Sequence, residues 1–266
     1  MTKLMRQCLL AMTLVSLLLP SVVAAQTPEE KGLAIAQEAD RRDIGFGDST
    51  ADLLMVLRNR HGQESVRNIR VRALEVEGDG DKSLSIFDNP GDVKGTAFLT
   101  FSHKVGDDDQ WLYLPALKRV KRISSRNKSG SFMGSEFAYE DMSSKEVQKY
   151  TYKWIRDEVY DGQECFVVES YPVDTGNSGY TRQVSWMDKS EYRVLKVDFY
   201  DRKNSLLKTL TFKGYQQYQN KYWRADEMNM VNHQNGKTTK LVWSNYQFGV
   251  GLKDRDFDKS SLMRIR

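Results

Sequence analysis

The chain is dominated by short segments in which apolar and polar residues alternate, separated at short and even intervals by turn residues. Strands joined by such brief connections pair antiparallel, because parallel strands need long crossovers, so the pattern predicts an antiparallel meander. The predicted strands are residues 53–60, 65–76, 83–88, 95–104, 110–115, 118–123, 148–160, 164–172, 181–188, 192–201, 205–218, 221–233 and 237–248.

Several of these strands have one apolar face. Leu195, Val197 and Phe199 alternate with polar residues in one strand, and Leu210 and Phe212 do so in the next. A sheet built from such strands has one dry face and one wet face. No change in composition marks a second domain, so the sequence predicts a single sheet with one large apolar surface.

A short amphipathic helix precedes the strands. Thr27 and Glu30 form a capping-box pattern, and Leu33, Ile35 and Ala36 make an apolar stripe. One helix of this size is too small to cover the predicted sheet. The sequence therefore predicts that the helix lies on the sheet and leaves part of its concave apolar surface free, which is a ligand-groove hypothesis. The alternative is a barrel whose side chains fill its interior.

The first residues indicate export. Lys3 and Arg6 precede an apolar stretch that is too short to span a membrane comfortably and that ends in small residues at Ala25. This pattern predicts a cleaved signal peptide, residues 1–25, followed by one domain, residues 26–266. An uncleaved anchor is the alternative. The protein is therefore predicted to be exported.

Charge and cysteine content exclude several classes of protein. The formal net charge of the whole chain is +4, and the signal peptide contributes two of those charges. Export and so small a charge argue against a nucleic-acid-binding protein. Cys165 is the one cysteine after the signal peptide, so no intramolecular disulfide can form.

A search for catalytic constellations finds none. His61, His103 and His233 are far apart, and no zinc-ligand spacing occurs. Cys165 is followed by a strand-like apolar run, which favours a buried and inert thiol. The loop that begins at Asp79 starts like a calcium loop but has Leu84 where glycine is required. The sequence predicts no catalytic residue, no metal site and no cofactor.

Three stretches carry a family resemblance. They are DVKGTAFLTFSHK (92–104), DDDQWLYLPALKRVKRI (107–123) and SGSFMGSEFAYEDM (129–142), and VSWMDKSEYRVLKVDFYDRKNSLLKTLTF (184–212) extends the match. With them the chain resembles the outer membrane lipoprotein-sorting proteins, relatives of the periplasmic lipoprotein carrier LolA. The order of elements agrees from the N-terminal helix to the last strand, so the resemblance covers most of residues 26–266.

The resemblance implies an α+β fold, mostly antiparallel β: an incomplete, half-open β-barrel of the LolA and LolB type with helices covering the concave face. It also implies that the protein works in the periplasm of a Gram-negative cell envelope, as a carrier that shields a lipid or lipidated protein in an apolar groove and hands it on. The implied partner is an inner-membrane exporter of the resistance-nodulation-division type or another envelope acceptor. An envelope sensor or exporter accessory is the second reading, and an enzyme on the same curved sheet is the third.

The groove prediction commits to particular residues. Alternation within strands, the helix stripe and the aromatic residues of the long connection select them. The predicted groove residues are Leu33, Ile35, Ala97, Leu99, Phe101, Leu112, Leu114, Phe132, Met133, Phe137, Leu195, Val197, Phe199, Leu210 and Phe212.

The connection between residues 124 and 146 is rich in serine and glycine, yet it contains large apolar side chains such as Phe132 and Phe137. A long connection of this kind is more often functional than disordered. We expect it to cover the groove and to shift when an acyl chain competes for the same surface. A permanently packed connection is the alternative, and the sequence does not separate the two.

A run of cations precedes that connection. Lys118, Arg119, Lys121 and Arg122 occur without an intervening acid, close to Trp111. One interpretation is a solvated edge strand that charge protects against unwanted pairing. The functional interpretation is a docking patch for anionic lipid headgroups, with peripheral membrane contact, or for an acidic partner.

Overall fold

A computed structural model describes residues 26–264, so the predicted signal peptide lies outside the described residues. The one α-helix in this range, α1 (Pro28–Asp43), is followed by a sheet of 13 strands. The strands are β1 (Asp48–Arg58), β2 (Glu64–Leu74), β3 (Lys82–Asn89), β4 (Ala97–Phe101), β5 (Asp109–Leu114), β6 (Arg119–Ile123), β7 (Tyr150–Tyr160), β8 (Gln163–Pro172), β9 (Tyr180–Asp188), β10 (Val194–Asp201), β11 (Leu206–Tyr218), β12 (Tyr222–Asn232) and β13 (Thr238–Phe248). Short 3-10 helices span Pro115–Leu117, Ser125–Asn127, Phe132–Gly134, Tyr139–Met142, Val147–Lys149, Asp254–Phe257 and Lys259–Arg264.

The strands form a single antiparallel sheet in the order β6-β5-β4-β3-β2-β1-β13-β12-β11-β10-β9-β8-β7. The first and last strands of the chain, β1 and β13, pair with each other and so join the two halves of the sheet. The edge strands β6 and β7 do not pair, so the barrel is open. The predicted half-open antiparallel barrel is confirmed. No helix within residues 26–264 is long and apolar enough to cross a membrane.

The sheet curves around one core. Side chains from β6, β3, β1, β13, β12, β11 and β10 pack into the same apolar cluster, which requires their shared face to be concave. Within this cluster the segment 124–146, which we call the plug, contributes Phe132 and Phe137. Phe132 is fully buried and packs 5.0 Å from Phe98 between ring centroids. The plug therefore fills the concave side at the β1–β6 end of the sheet.

Helix α1 covers the other end. Its N-terminus has the predicted capping box, in which Thr27 Oγ1 accepts from the Glu30 amide at 3.2 Å and Glu30 accepts from the Thr27 amide at 2.8 Å. Ile35 is buried against Tyr152, Val168 and neighbouring residues of β7 to β9. At Gly32 an added Cβ would lie 2.7 Å from the Trp154 amide nitrogen, so the helix packs directly on the backbone of β7.

Three sequence predictions about the concave face are wrong for β4. Ala97, Leu99 and Phe101 lie on the convex face, because Leu99 pairs with Trp111 and belongs with it to a second apolar cluster. The C-terminal 3-10 helices cover this cluster with Phe257 and Leu262, which are both about 1% exposed. The sequence prediction treated the convex face as exposed to solvent, whereas the C-terminal 3-10 helices bury it at β4.

Two further groove predictions are wrong. Leu195 lies on the convex face with Cys165 and Trp186, because the pairing register between β10 and β9 shifts between Val194 and Lys196. This bulge turns Leu195 away from Val197. Leu33 is 40% exposed, because the buried side of α1 is set by Gly32 and Ile35, and Leu33 points away from it.

Candidate functional site

A large cavity remains on the concave side between α1, the plug and strands β7 to β12. Its volume is about 1420 Å³, above the roughly 300–1,000 Å³ typical of small-molecule sites. The floor is formed by inward-facing side chains of consecutive strands. Its apolar lining includes Ile35, Ala36, Val147, Val168, Met187, Val197, Phe199, Leu210, Phe212 and Met228. A cavity of this size and lining can enclose a long apolar chain.

The ten remaining groove predictions separate into three sets. Ile35, Phe137, Val197, Phe199, Leu210 and Phe212 line the large cavity. Leu112 and Leu114 line a smaller cavity of about 490 Å³ between the plug and the inner face of β5 and β6. Phe132 is fully buried and Met133 packs against the same core, so these two anchor the plug.

The sequence prediction missed the part of the cavity wall that comes from β8 and β9. Val168 and Met187 face inward, while Val167 and Trp186 face outward, and all four are buried. Because both faces of these strands are apolar, alternation alone cannot show which side faces the cavity. The wall also includes the polar residue Gln183, which is buried on the inner face.

A lysine lies in this polar part of the wall. Lys145 Nζ donates to Ser170 Oγ at 2.9 Å and to Gln183 Oε1 at 2.8 Å, and it stands 4.9 Å from the centre of the Tyr150 ring. Solvent reaches Lys145 through the cavity, but the protein around it desolvates the ammonium and lowers its pKa to about 8. A cation is thus held inside a largely apolar cavity.

A buried polar network fixes the plug to the sheet. Lys208 Nζ donates to Asp141 Oδ2 at 2.7 Å and to the Glu136 carbonyl at 2.8 Å, and the Tyr180 hydroxyl donates to Asp141 Oδ1 at 2.9 Å. The side chains of Lys208 and Asp141 are 4% and 8% exposed. Arg67 on β2 also donates to the Met133 carbonyl. The plug is held by charge as well as by its aromatic side chains.

Acidic side chains gather at the mouth of the cavity beside the β2–β3 connection. Burial, together with the charges of Glu146 and Glu75, raises the pKa of Asp81 to about 7. Burial also raises the pKa of Asp40 and of Glu146. Within residues 26–264 no three histidine, cysteine or acidic side chains are arranged to hold a metal ion.

The predicted docking patch lies on the edge strand β6 and the turn before it. Lys118, Arg119, Lys121 and Arg122 are all exposed, and Arg122 forms an ion pair with Asp109. Lys121 also lines the smaller cavity. The structure therefore places these cations together at an open edge of the sheet.

Comparison with known proteins gives the chain a family. A family model described as "Uncharacterized protein" matches residues 79–264, and no curated protein matches. The crystal structure of a domain described as an outer membrane lipoprotein-sorting protein from Vibrio parahaemolyticus is 61% identical, with a TM-score of 0.87, over 89% of this chain and 100% of that chain.

Two other solved structures are similar. A DUF1329 family protein from Desulfovibrio piger ATCC 29098 is 34% identical, with a TM-score of 0.84, over 89% of this chain and 99% of that one. A LolA superfamily protein from Nitrosomonas europaea is 20% identical, with a TM-score of 0.69, over 86% of this chain and 98% of that one, which shows a shared fold. The chain therefore belongs to the outer membrane lipoprotein-sorting protein family and has the LolA fold.

Proposed function

We propose that the protein is a periplasmic carrier that shields the acyl chains of a lipid or a lipidated protein and hands them on within the cell envelope. The observation that carries this proposal is the cavity of about 1420 Å³ on the concave face, which neither α1 nor the plug fills. Removing an acyl chain from water stabilises the complex by about 0.8 kcal/mol for each buried CH₂ group. Binding and release are sufficient for this function, and no chemical step is needed.

The proposed compartment rests on two observations. Residues 1–25 have the pattern of a signal peptide, and the relative that is 61% identical is described as an outer membrane lipoprotein-sorting domain. We accordingly propose that residues 26–266 act as a single periplasmic domain. The cationic patch on β6 is proposed to bring this domain to an anionic membrane surface during loading or release.

The acceptor of the cargo is a separate matter. An exporter of the resistance-nodulation-division type stays a prediction of the family resemblance, because none of the three similar structures is described with such a partner. The cavity would serve a sensor as well as a carrier, since both functions begin by enclosing an acyl chain.

The carrier proposal is tested first by identifying what the native protein binds. We expect mass spectrometry of molecules extracted from protein purified from its own periplasm to find acylated compounds at near-stoichiometric amounts. Protein that is reproducibly empty, and that also fails to bind acyl probes in solution, would overturn the proposal.

A matched pair of variants tests where the acyl chain binds. Met228 and Asn229 are neighbours on β12 and are both half-buried, but Met228 lines the cavity and Asn229 faces the convex side. We expect Met228→Trp to weaken the binding of hexadecanol by about tenfold, equivalent to roughly 1.4 kcal/mol, because the indole occupies cavity volume. Asn229→Trp should leave binding unchanged. Displacement of the neutral dye Nile red measures both.

A further inference from the structure

Two lysines face the concave side, and their surroundings differ. Lys208 is paired with the carboxylate of Asp141 at 2.7 Å. Lys145 donates to two neutral acceptors, the hydroxyl of Ser170 and the amide oxygen of Gln183. Among residues 26–264, no carboxylate oxygen lies within the 4.0 Å ion-pair distance of Lys145 Nζ. Lys145 is therefore a cation on the cavity wall whose hydrogen-bond partners are neutral.

Two acids that line the same cavity, Asp141 and Glu140, have other partners. Asp141 accepts from Lys208 and Tyr180, and Glu140 accepts from Ser178 Oγ at 2.7 Å and from the Gly179 amide at 2.8 Å. They cannot turn to Lys145 without leaving these donors unsatisfied. Because desolvating a cation without a counter-charge is unfavourable, a ligand that brings an anionic oxygen would stabilise this site.

Lys145 also has one N–H donor that Ser170 and Gln183 do not use. An ammonium group has three N–H donors, and two of them are used by Ser170 and Gln183. Lys145 lines the cavity and is accessible from it, so the third donor can reach a ligand there. Its pKa of about 8 leaves the ammonium mostly charged at neutral pH. The donor is therefore available in its charged form.

Apolar surface begins beside the lysine. Ser170 pairs with Gln183 across β8 and β9, and Val168 and Met187 lie on the same inner face of these strands, two and four residues further along. Each residue of a strand advances by about 3.3 Å, so a chain whose head is at Lys145 meets this apolar wall within about 7 Å. Val197, on the next strand, continues the wall. A polar anchor is thus followed directly by an apolar track.

We propose that Lys145 is the headgroup-binding residue of the cavity, and that the carried molecule is an anionic amphiphile whose carboxylate or phosphate oxygen accepts from Lys145 Nζ while its chain lies along the inner face of β8 to β10. This inference rests on the proposed carrier function and narrows its cargo to acidic amphiphiles. A neutral lipid would leave the lysine without a counter-charge.

Three probes with the same chain separate charge from hydrophobic contact. Hexadecanoate carries a carboxylate, hexadecyl phosphate carries a phosphate, and hexadecanol is neutral. Their affinities for the wild-type protein, Lys145→Met and Lys213→Met are measured by displacement of Nile red. Lys213 is exposed on β11 and does not line the cavity, so its variant loses the same charge outside the binding site.

We expect Lys145→Met to weaken the binding of at least one of the two anions by about tenfold or more, because a charge-assisted hydrogen bond is lost. Hexadecanol should bind within about twofold of wild type, and Lys213→Met should resemble wild type for all three probes. The anion that loses more affinity identifies the headgroup as carboxylate or phosphate. Lys145→Gln, which keeps a polar donor without charge, should behave like Lys145→Met.

Other outcomes overturn the inference in distinguishable ways. If Lys145→Met and Lys145→Gln bind both anions as wild type does, Lys145 does not contact the headgroup and the carrier function stands. If they lose affinity for hexadecanol as much as for the anions, Lys145 only shapes the cavity. If the wild-type protein binds none of the three probes, the carrier proposal itself fails.

Discussion

At the scale of single residues, the ion pair between Lys208 and Asp141 ties the plug to β11. Both side chains are almost completely buried, and Asp141 also accepts from the Tyr180 hydroxyl and from the Ala138 amide at 2.7 Å. Breaking such a pair from one side leaves the other charge buried and uncompensated, which is far more costly than removing both charges. The pair therefore stabilises the position of the plug.

We expect Lys208→Met to lower the free energy of unfolding by about 3 kcal/mol, because Asp141 then remains charged without its cation. The double variant Lys208→Met with Asp141→Asn should recover a substantial part of that loss, since no charge stays buried. Urea unfolding of the three proteins provides the measurement. A double variant less stable than Lys208→Met would show that the methionine disrupts packing and that charge is not the cause.

We expect the free energy of unfolding to depend on pH through Asp81. Burial and the nearby Glu146 and Glu75 raise its pKa to about 7, so the folded state favours the protonated carboxyl. The stability that this proton contributes is fully present below about pH 4, the ordinary pKa of an aspartate, and is lost as pH rises through about 7.

Asp81→Asn should therefore raise the free energy of unfolding near pH 8 by on the order of 2 kcal/mol and change it little near pH 4. The same substitution at Asp92, which is exposed, serves as the control. Urea unfolding at both pH values tests the pair. An equal gain from Asp81→Asn at both pH values would contradict an electrostatic origin.

At the scale of elements, α1 is held by a narrow contact. Gly32 allows the helix to approach the backbone of β7, and Ile35, which is 5% exposed, supplies the apolar contact with β7 to β9. Leu33 on the same helix is 40% exposed. The two positions differ in burial while sharing the same helix, so they make a matched pair.

We expect Ile35→Asp to detach α1, because it loses roughly 1.5–3 kcal/mol of apolar burial and places a charge against β8. Leu33→Asp should change stability by no more than about 0.5 kcal/mol, as is usual at the surface. Hydrogen exchange across residues 28–43 reports detachment directly. Equal protection of the helix in both variants would show that Ile35 does not anchor it.

The sequence allows two roles for the plug: a cover that moves when a ligand binds, or a fixed connection. Its position over the concave face agrees with a cover, but Phe132 is fully buried, Phe137 is 4% exposed and Asp141 is paired with Lys208. These contacts favour the fixed connection. A ligand entering the large cavity meets Phe137 at its edge and does not have to displace Phe132.

We expect hydrogen exchange of residues 131–141 to be slow and to change little when hexadecanoate binds, because the plug belongs to the same core as the strands. The connection of residues 75–81 at the cavity mouth serves as an internal comparison, since it is more exposed. Exchange that becomes faster across residues 131–141 with ligand bound would restore the moving cover.

The sequence predicts the inner face of a strand correctly when only one of its two faces is buried. Alternation located every strand, and it placed Val197, Phe199 and Leu210 on the inner face as the structure has them. It failed on β4, where Ala97 and Leu99 are buried by the C-terminal helices on the convex side. Those 3-10 helices have no apolar periodicity, so no local pattern predicts that they cover the convex side of β4.

The cavity itself was predictable as a surplus of apolar surface, but its polar anchor was not. Lys145 lies in a run of serine, lysine and glutamate that is typical of a solvated loop. Its position in the cavity wall depends on the path of the plug and on the register of β8 with β9, which brings Ser170 beside Gln183. Both are long-range features that local sequence cannot specify.

At the scale of the whole molecule, the open barrel has a charged edge. The formal net charge of the chain is only +4, yet β6 and its preceding turn present four exposed cations at one end of the sheet. Charge on an edge strand prevents pairing with another chain. The smaller cavity, lined by Leu112, Leu114 and Lys121, opens beside these cations, which places apolar surface next to them. An anionic membrane surface would match this combination.

We expect reversal of the patch residues to glutamate to weaken binding to vesicles that contain phosphatidylglycerol. The reversed residues are Lys118, Arg119, Lys121 and Arg122. Each cation near an anionic surface contributes about 1 kcal/mol, so the loss should be large at low salt. It should shrink as salt rises, because charges are screened beyond about 8 Å at physiological ionic strength.

A second set of reversals controls for total charge, because it changes the net charge equally at exposed sites outside β6. Its members are Arg202, Lys203, Lys213 and Lys237. Sedimentation of the protein with vesicles, over a series of salt concentrations, compares the two sets with the wild type. If both sets weaken binding equally, net charge attracts the protein and the patch has no special role. If the patch reversals alone abolish a salt-dependent interaction, the open edge of the barrel at β6 is the side that meets the membrane.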